Sequence, residues 1–167
     1  MTLTLVADPT NANANAYCDL AFANSYHEAR LFNDEWLAAS DPTKTAALVW
    51  ATQALDSMNW QGTRVGLAAA ILTPLRWPRV GVTDRDGLDL DEASVPLNIK
   101  KATAELALFL IREDRTEGLA TIDSGSTQVG PISFRKNKHY KFPQSVLDLV
   151  AQYSAGWGSF QARVERV

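Results

Sequence analysis

One predicted helix near the middle of the chain has apolar residues on two opposite sides, and this pattern constrains the fold more than any other. Ser94, Val95 and Pro96 open the helix. Its first apolar stripe consists of Ile99, Ala102, Leu106, Phe109 and Leu110. The opposite side carries Ala104, Leu108 and Ile111. Because both sides need cover, we expect this helix at the centre of a bundle or at a contact between subunits.

Three further helices are predicted from capping signals and apolar spacing. Asp19 is the N-cap candidate of a helix whose apolar face consists of Phe22, Tyr26, Ala29, Phe32 and Trp36. Asp41 and Pro42 start another helix, which runs to about Trp60 with the stripe Ala47, Trp50, Ala51, Ala54 and Met58. Pro143 starts a short last helix through Val146, Leu147, Val150 and Tyr153, which ends at Ala155 and Gly156. The sequence therefore predicts a mainly α fold, a small four-helix bundle.

The remaining segments predict appendages to this bundle. Glycines and prolines interrupt residues 61–95, which indicates a long central loop with a brief helical possibility at Leu67–Leu72. Strand-forming residues flank Gly130 and Pro131, so a short β-hairpin is expected within residues 121–136. The predicted organisation is an N-terminal arm (1–16), extended or mobile, a helical domain (17–153) and an extended C-terminal tail (154–167).

Composition and charge limit the class of protein. The chain has 167 residues, which is enough for one domain with a hydrophobic core. Of these residues, 46% are hydrophobic and 21% are charged, as in soluble globular proteins. We find no apolar run of about 18 residues that could cross a membrane. The net charge of −3 is unevenly spread: residues 1–63 carry seven acids and two bases, and residues 64–142 ten acids and twelve bases. An acidic first part therefore precedes a mildly basic middle.

Residues for catalysis are scarce. Cys18 is the only cysteine, so no internal disulfide can form, and the two histidines are His27 and His139. We predict a solvated surface position for His27 and an inert, partly buried thiol for Cys18, and we assign neither a catalytic role. No phosphate-binding glycine loop occurs. The sequence thus predicts a protein that is not an enzyme and has no cofactor.

An acidic stretch from Asp84 to Glu92 invites a calcium-site interpretation, which its register excludes. Placing Gly87 at the glycine position of an EF-hand loop puts Val82 at the first ligand and Ala93 at the last. We therefore predict no metal site, and instead a solvated acidic loop or a surface that repels DNA. The acids concerned are Asp84, Asp86, Asp89, Asp91 and Glu92.

Two segments could contact nucleic acid. In the stretch from Phe134 to Phe142, cations alternate with aromatic side chains that could stack on bases. The candidate contacts there are Arg135, Lys136, Lys138, Tyr140 and Lys141. The second candidate is the segment Arg76-Trp77-Pro78-Arg79, with Arg76 and Trp77 as its contacts. Each segment has an alternative explanation, in which its aromatic side chains fix it to the core.

Four segments in order resemble a protein family. They are Tyr17–Tyr26, Ala47–Gly62 with its ending Trp60-Gln61-Gly62, Leu75–Gly81 with Arg76-Trp77-Pro78-Arg79, and Val95–Ala107. Together they resemble the head–tail connector (adaptor) proteins of tailed bacteriophages, some of which are labelled DnaT-like single-stranded-DNA-binding proteins. The resemblance covers residues 17–112 and is weak after residue 120.

This resemblance implies a structural virion protein. Such connectors form a ring, commonly of twelve copies, between the portal protein and a downstream stopper or tail protein. The ring lies at the head–tail junction of the virion, is assembled in the host cytoplasm and lets double-stranded DNA pass without sequence-specific binding. The alternative is a single-stranded-DNA-binding, DnaT-like module that uses the basic and aromatic residues named above.

Two site hypotheses follow from the connector interpretation. The C-terminal residues would dock on the portal, since an apolar tail beyond the last helix has no core left to fill. These residues are Tyr153, Trp157, Phe160, Arg163 and Val164. The acidic loop would face the channel or the next ring, where its carboxylates keep DNA from adhering.

Overall fold

In the computed structural model the chain is mainly helical, as the sequence predicts. The structure describes residues 3–65, 73–112, 127–129, 132–134 and 142–155, with the backbone alone for 127–129 and 132–134. The helices described are α1 (Leu20–Glu28), α2 (Asp34–Ala38), α3 (Asp41–Asp56), α4 (Leu97–Arg112) and α5 (Gln144–Val150), followed by a 3₁₀ turn (Ala151–Tyr153). Within these ranges, no helix is both long and apolar enough to cross a membrane.

Helix α4 is the axis of the fold. Every residue from 102 to 108 is buried, and α1, α2, α3 and α5 all contact this helix. Alanines at 102, 104 and 107 let the neighbouring backbones come close, and the hydroxyl of Thr103 donates to the carbonyl of Ile99 (2.8 Å). Of the two positions predicted for this helix, the central one is confirmed, because the other four described helices contact it.

The first predicted helix is two helices, so the described residues contain five helices rather than four. The side chain of Asp19 caps α1 as predicted, accepting from the amide of Phe22 (2.7 Å). The chain then breaks at Phe32, whose φ of 57° lies in the left-handed region. The side-chain amide of Asn33 donates to the carbonyl of His27 (2.6 Å) and so satisfies a carbonyl at the end of α1. Phe32 is exposed, and its predicted place on an apolar stripe is wrong because the helix does not reach it.

His27 is fully buried, which corrects its predicted surface position. The buried residues of α1 are Ala23 and His27. Since they are four residues apart, they lie on the same face of the helix. The imidazole packs on Trp36, with ring centroids 4.3 Å apart, and its Nε2 lies 3.0 Å from the carbonyl of Ala104. Nδ1 is buried without a hydrogen-bond partner. The break at Phe32 turns α2 so that Trp36 covers this histidine.

Helix α3 begins one residue from the predicted signal. Ser40, rather than Asp41, is the N-cap, and Pro42 follows in the first turn. The helix ends at Asp56, so Trp60 lies beyond it in a loop. Its buried face is centred on Leu48, Thr52 and Leu55 as well as Ala47 and Ala51. Trp50 is 48% exposed, and its predicted burial is wrong.

The N-terminal segment differs from the extended arm predicted. Asn15 closes residues 4–15 into a loop, because its side chain accepts from the amide of Val6 and donates to the carbonyl of Thr4 (both 2.8 Å). Ala14 and Ala16 are buried, and the amide of Tyr17 donates to the hydroxyl of Thr52 (3.2 Å). The bond to Thr52 joins the segment to α3. Within the segment, the Asn15 side chain bonds backbone groups that a neighbouring strand would otherwise have to pair.

Two antiparallel strand pairs complete the described fold. Strands β3 (Thr127–Val129) and β4 (Ile132–Phe134) pair on either side of residues 130–131, which confirms the predicted hairpin. Strands β1 (Thr63–Arg64) and β2 (Arg79–Val80) pair within the stretch predicted as a loop. The helical possibility at Leu67–Leu72 and the tail from residue 156 lie outside the described residues, whereas α5 occupies its predicted position.

Replacing His27 by Gln tests the buried imidazole. Burial lowers the pKa of His27 below 6.5, so stability that depends on the neutral ring is present above 6.5 and is lost as the pH falls below it. Gln retains a donor for the carbonyl of Ala104 and does not titrate. We expect urea unfolding of His27→Gln to show less loss of stability on acidification than the wild type. Equal acid sensitivity of the two proteins contradicts the assignment.

Candidate nucleic-acid interface

Three buried aromatic residues support the loop that carries the predicted nucleic-acid contact. Trp60 and Trp77 meet edge to face, as do Trp77 and Tyr153, with ring centroids 5.6 Å apart in each pair. Trp77 is 1% exposed, and the Trp77–Pro78 peptide bond is cis. The alternative in which this segment is fixed to the core is therefore confirmed. Trp77 cannot stack on a base, and its predicted DNA contact is wrong.

Arg79 holds the loop through backbone carbonyls. Its guanidinium donates to Gln61 and Gly62 (2.6 Å each) and to Arg76 (3.2 Å). A Cβ on Gly62 would lie 2.2 Å from the carbonyl oxygen of Val80, and the φ of Gly62 is +66°. The two distinctive segments, Trp60-Gln61-Gly62 and Arg76-Trp77-Pro78-Arg79, therefore hold each other in place through these contacts. We call this set of contacts the lock.

The end of the helical domain closes the same lock. The backbone amide of Gln61 donates to the carbonyl of Tyr153 (2.9 Å), and its side chain donates to that of Gln152 (3.1 Å). A β-bridge joins Trp60 to Ser154, and the amide of Ala155 donates to Asn59 (2.9 Å). Tyr153 is therefore buried inside its own chain, and its predicted docking on a portal is corrected by this burial.

Arg64 and Arg76 lie close enough to Arg79 for their charges to act on it; Arg76 is exposed, whereas Arg64 and Arg79 are both half-buried. Burial, together with the positive charges of Arg76 and Arg64, lowers the pKa of Arg79. Arg64 makes one long contact to the hydroxyl of Thr73 (3.4 Å), and Arg76 is exposed. We call Arg64, Arg76 and Arg79 the arginine cluster. Two of its members can turn toward an anion while the third keeps the loop in shape.

A half-buried carboxylate ties the arginine cluster to the helices. Asp56 is the last residue of α3 and accepts hydrogen bonds from the hydroxyl of Tyr17 and from the backbone amide of Arg76 (3.3 Å). Burial raises the pKa of Asp56 to about 6, although the charges of Arg76 and Arg64 oppose the shift. Near neutral pH this site therefore holds a carboxylate at an energetic cost, which the neighbouring arginines partly offset.

The other predicted site residues belong to the acidic loop or lie outside the described residues. In the acidic loop the side chain of Asp84 accepts from the amides of Asp86 and Leu88 (2.9 Å each), so the loop is closed on itself. No group of three or more potential ligands among the described residues could hold a metal ion. The predicted contacts that cannot be placed are Arg135, Lys136, Lys138, Tyr140, Lys141, Trp157, Phe160, Arg163 and Val164, all outside the described ranges.

The segment Arg76-Trp77-Pro78-Arg79 is predicted from the sequence as a candidate contact, whereas Arg64 and Asp56 are not. Arg79 followed Arg76 at a visible spacing, yet nothing local connects either residue to Arg64 or to the end of α3. Their proximity comes from the pairing of β1 with β2, and strands of two residues are too short to give a recognisable pattern in the sequence.

Cys18 is buried, which raises the pKa of its thiol to about 12 and disfavours the nucleophilic thiolate.

Comparison with known proteins gives one match. Residues 1–167 match the model of a family described as "Putative DnaT-like ssDNA binding protein". Neither a curated protein nor a solved structure matches the chain. The match therefore spans the arginine cluster and all the described elements.

Replacing Asp56 by Asn tests the half-buried carboxylate. A folded-state pKa of about 6, above the ordinary 3.8, means that its stabilising contribution is complete below 3.8 and is lost as the pH rises through 6. Asn still accepts from Tyr17 and Arg76 without a charge. We expect Asp56→Asn to remove this fall in chemical-denaturation stability and to be at least as stable as wild type at neutral pH. A clearly less stable variant at neutral pH contradicts this account.

Proposed function

Because this chain belongs to the family of DnaT-like ssDNA-binding proteins, we propose that it binds single-stranded DNA through the arginine cluster. The family match over residues 1–167 carries the proposal. The cluster supplies its chemistry, since guanidinium groups bind phosphate oxygens with two parallel donors. Net acidity does not oppose it, because the acids and bases are unevenly distributed along the chain.

Rigid support favours the cluster over scattered surface lysines. Arg64 lies on β1, and Arg76 lies directly before the buried Trp77, so both backbones are fixed by the lock described above. The ordering of these backbones is complete before DNA binds, which lowers the entropic cost of binding. We therefore assign Arg64 and Arg76 to phosphate contacts and Arg79 to the positioning of the loop.

Preference for a single strand would come from base stacking. Trp77 is excluded by its burial, and Trp60 lies beneath the loop. The remaining candidates are the aromatic residues between Phe134 and Phe142, where Tyr140 is flanked by Lys138 and Lys141. This part of the proposal rests on the sequence, because residues 135–141 lie outside the described ranges.

Substitution of Arg64 and Arg76 tests the proposal. Arg64→Ala and Arg76→Ala should each weaken the binding of an oligothymidylate several-fold. Each should also reduce the slope of log affinity against log salt by about 0.7, as expected when one phosphate contact to a single strand is lost. Arg85→Ala is the matched control, because it removes one exposed arginine from the acidic loop.

Fluorescence anisotropy at several salt concentrations measures both quantities. The assignment is contradicted if both cluster variants keep the affinity and the salt slope of the wild type. It is also contradicted if Arg85→Ala lowers the affinity as much as the cluster variants do. Far-ultraviolet circular dichroism of the variants confirms that any loss is not caused by unfolding.

A second candidate is the head–tail connector of a tailed phage, which would form a ring on a portal protein and surround double-stranded DNA. The observation that favours it is a set of large apolar side chains exposed on separate elements. This set is Leu31, Phe32, Leu37, Trp50, Leu88 and Leu97. A ring subunit needs two different contact patches, and solvent-exposed apolar groups of this size are typical of such contacts.

Removal of residues 156–167 tests the connector. The deletion takes away Trp157, Phe160, Arg163 and Val164 and leaves Tyr153 in the core. We expect the shortened chain to fold and to lose attachment to portal rings in a mass measurement. If the shortened chain attaches to portal rings as well as the full chain does, the result argues against the connector. Failure of the full chain to attach argues against it as well.

A further inference from the structure

A negative charge of the protein's own lies beside the arginine cluster. Asp56 is half-buried at the end of α3, where its Oδ1 accepts from the hydroxyl of Tyr17 and from the backbone amide of Arg76 (3.3 Å). The positive charges of Arg76 and Arg64 act on this carboxylate. Asp56 is therefore close to the two side chains that we assign to phosphate contacts.

The two hydrogen bonds of Asp56 do not require a charged side chain. Both reach the same oxygen, Oδ1, so the amide oxygen of an asparagine could accept them in the same way. The charge is unfavourable at this position, because the side chain is partly desolvated and the C-terminal end of a helix carries a partial negative charge. The backbone amide of Arg76 and the charges of Arg76 and Arg64 favour the ionised form. The charge state of Asp56 thus depends on what these two arginines contact.

The groups that face Asp56 come from three parts of the chain. Tyr17 belongs to the segment before α1, Arg64 to β1, and Arg76 to the segment before β2. Tyrosine and arginine side chains titrate well above neutral pH. Burial raises the pKa of Asp56 to about 6, so this carboxyl group is the one in the set that changes its charge near neutral pH.

Phosphate binding to the arginines changes the electrostatic environment of Asp56. A phosphate bound by Arg64 or Arg76 offsets their positive charge and adds a negative charge of its own. Both changes disfavour the ionised carboxylate, so Asp56 holds a proton more readily in the complex than in the free protein. Linkage is reciprocal, and protonation of Asp56 therefore strengthens phosphate binding by the same factor. The affinity is highest below the pKa of Asp56 in the free protein and falls as the pH rises above it.

We propose that Asp56 makes the arginine cluster proton-dependent: its ionised form offsets positive charge that DNA phosphates would use, and the binding of single-stranded DNA is accompanied by uptake of a proton from solvent at this carboxylate. This regulation rests on the proposed function, because the cluster is the DNA-binding site in both. Single-stranded DNA is then held more tightly in mildly acidic solution than in alkaline solution.

Isothermal titration calorimetry of the full chain with an oligothymidylate measures the proton uptake. Thymine does not titrate near neutral pH, and buffers with different ionisation enthalpies separate the uptake of protons from the heat of binding. We expect net proton uptake just above the pKa of Asp56. The affinity should be several-fold higher at about pH 5.5 than at about pH 8. Because this measurement uses the wild type, it does not depend on the folding of a variant.

Asp56→Asn assigns the effect to one residue. The variant should take up no proton on binding, should bind with similar affinity at both pH values, and should bind more tightly than the wild type in alkaline solution. Asp89→Asn is the matched control, since it removes one exposed carboxylate from the acidic loop and should keep the pH dependence of the wild type.

Two outcomes separate this regulation from the proposed function. Wild-type binding without proton uptake, or the same pH dependence in Asp56→Asn as in the wild type, overturns the role of Asp56 and leaves DNA binding by the cluster standing. Absence of oligothymidylate binding at every pH overturns both.

Discussion

Complete burial of residues 102–108 in α4 is the constraint from which the other helices take their positions. A helix surrounded on all sides needs a partner on each face, and the alanines at 102, 104 and 107 bring those partners close. Polar groups within this run are satisfied locally: Thr103 donates to the carbonyl of Ile99, and Glu105 pairs with Arg30. The short α1 and α2 can therefore be stable despite their length, since packing on α4 supplies what local propensity does not.

The loop layer depends on an aromatic part of the same hydrophobic core that the helices share. Trp60, Trp77 and Tyr153 bring together residues far apart in sequence, and Arg79 satisfies the backbone carbonyls that their packing leaves inside. Asp56 and Tyr17 join this layer to α3 and to the N-terminal segment. A basic surface on such a layer is held in one conformation, which is how a short irregular segment can form a binding site.

The elements that sequence reasoning predicted well are those with strong local signals. The cap at Asp19, the two-sided pattern of α4, the residues flanking 130–131 and the start at Pro143 each specify a local structure, and each is present. The errors concern tertiary choices. The predicted stripe passes through Phe32 because spacing does not reveal a left-handed residue, and the sequence predicts His27 in solvent because no local signal marks the turn to α2. The arginine cluster needed the β1–β2 pairing, which arises from buried aromatic residues rather than from any strand pattern.

The central claim is that single-stranded DNA contacts the loop layer that carries Arg64 and Arg76. Hydrogen–deuterium exchange of the full chain with and without an oligothymidylate tests it directly, because backbone amides report the contacted segment whatever side chains take part. The account predicts slower exchange in residues 61–65 and 73–80 and no change at the α1–α2 turn. Unchanged exchange in both loop segments at saturating oligonucleotide, or protection confined to residues 29–38, would contradict it.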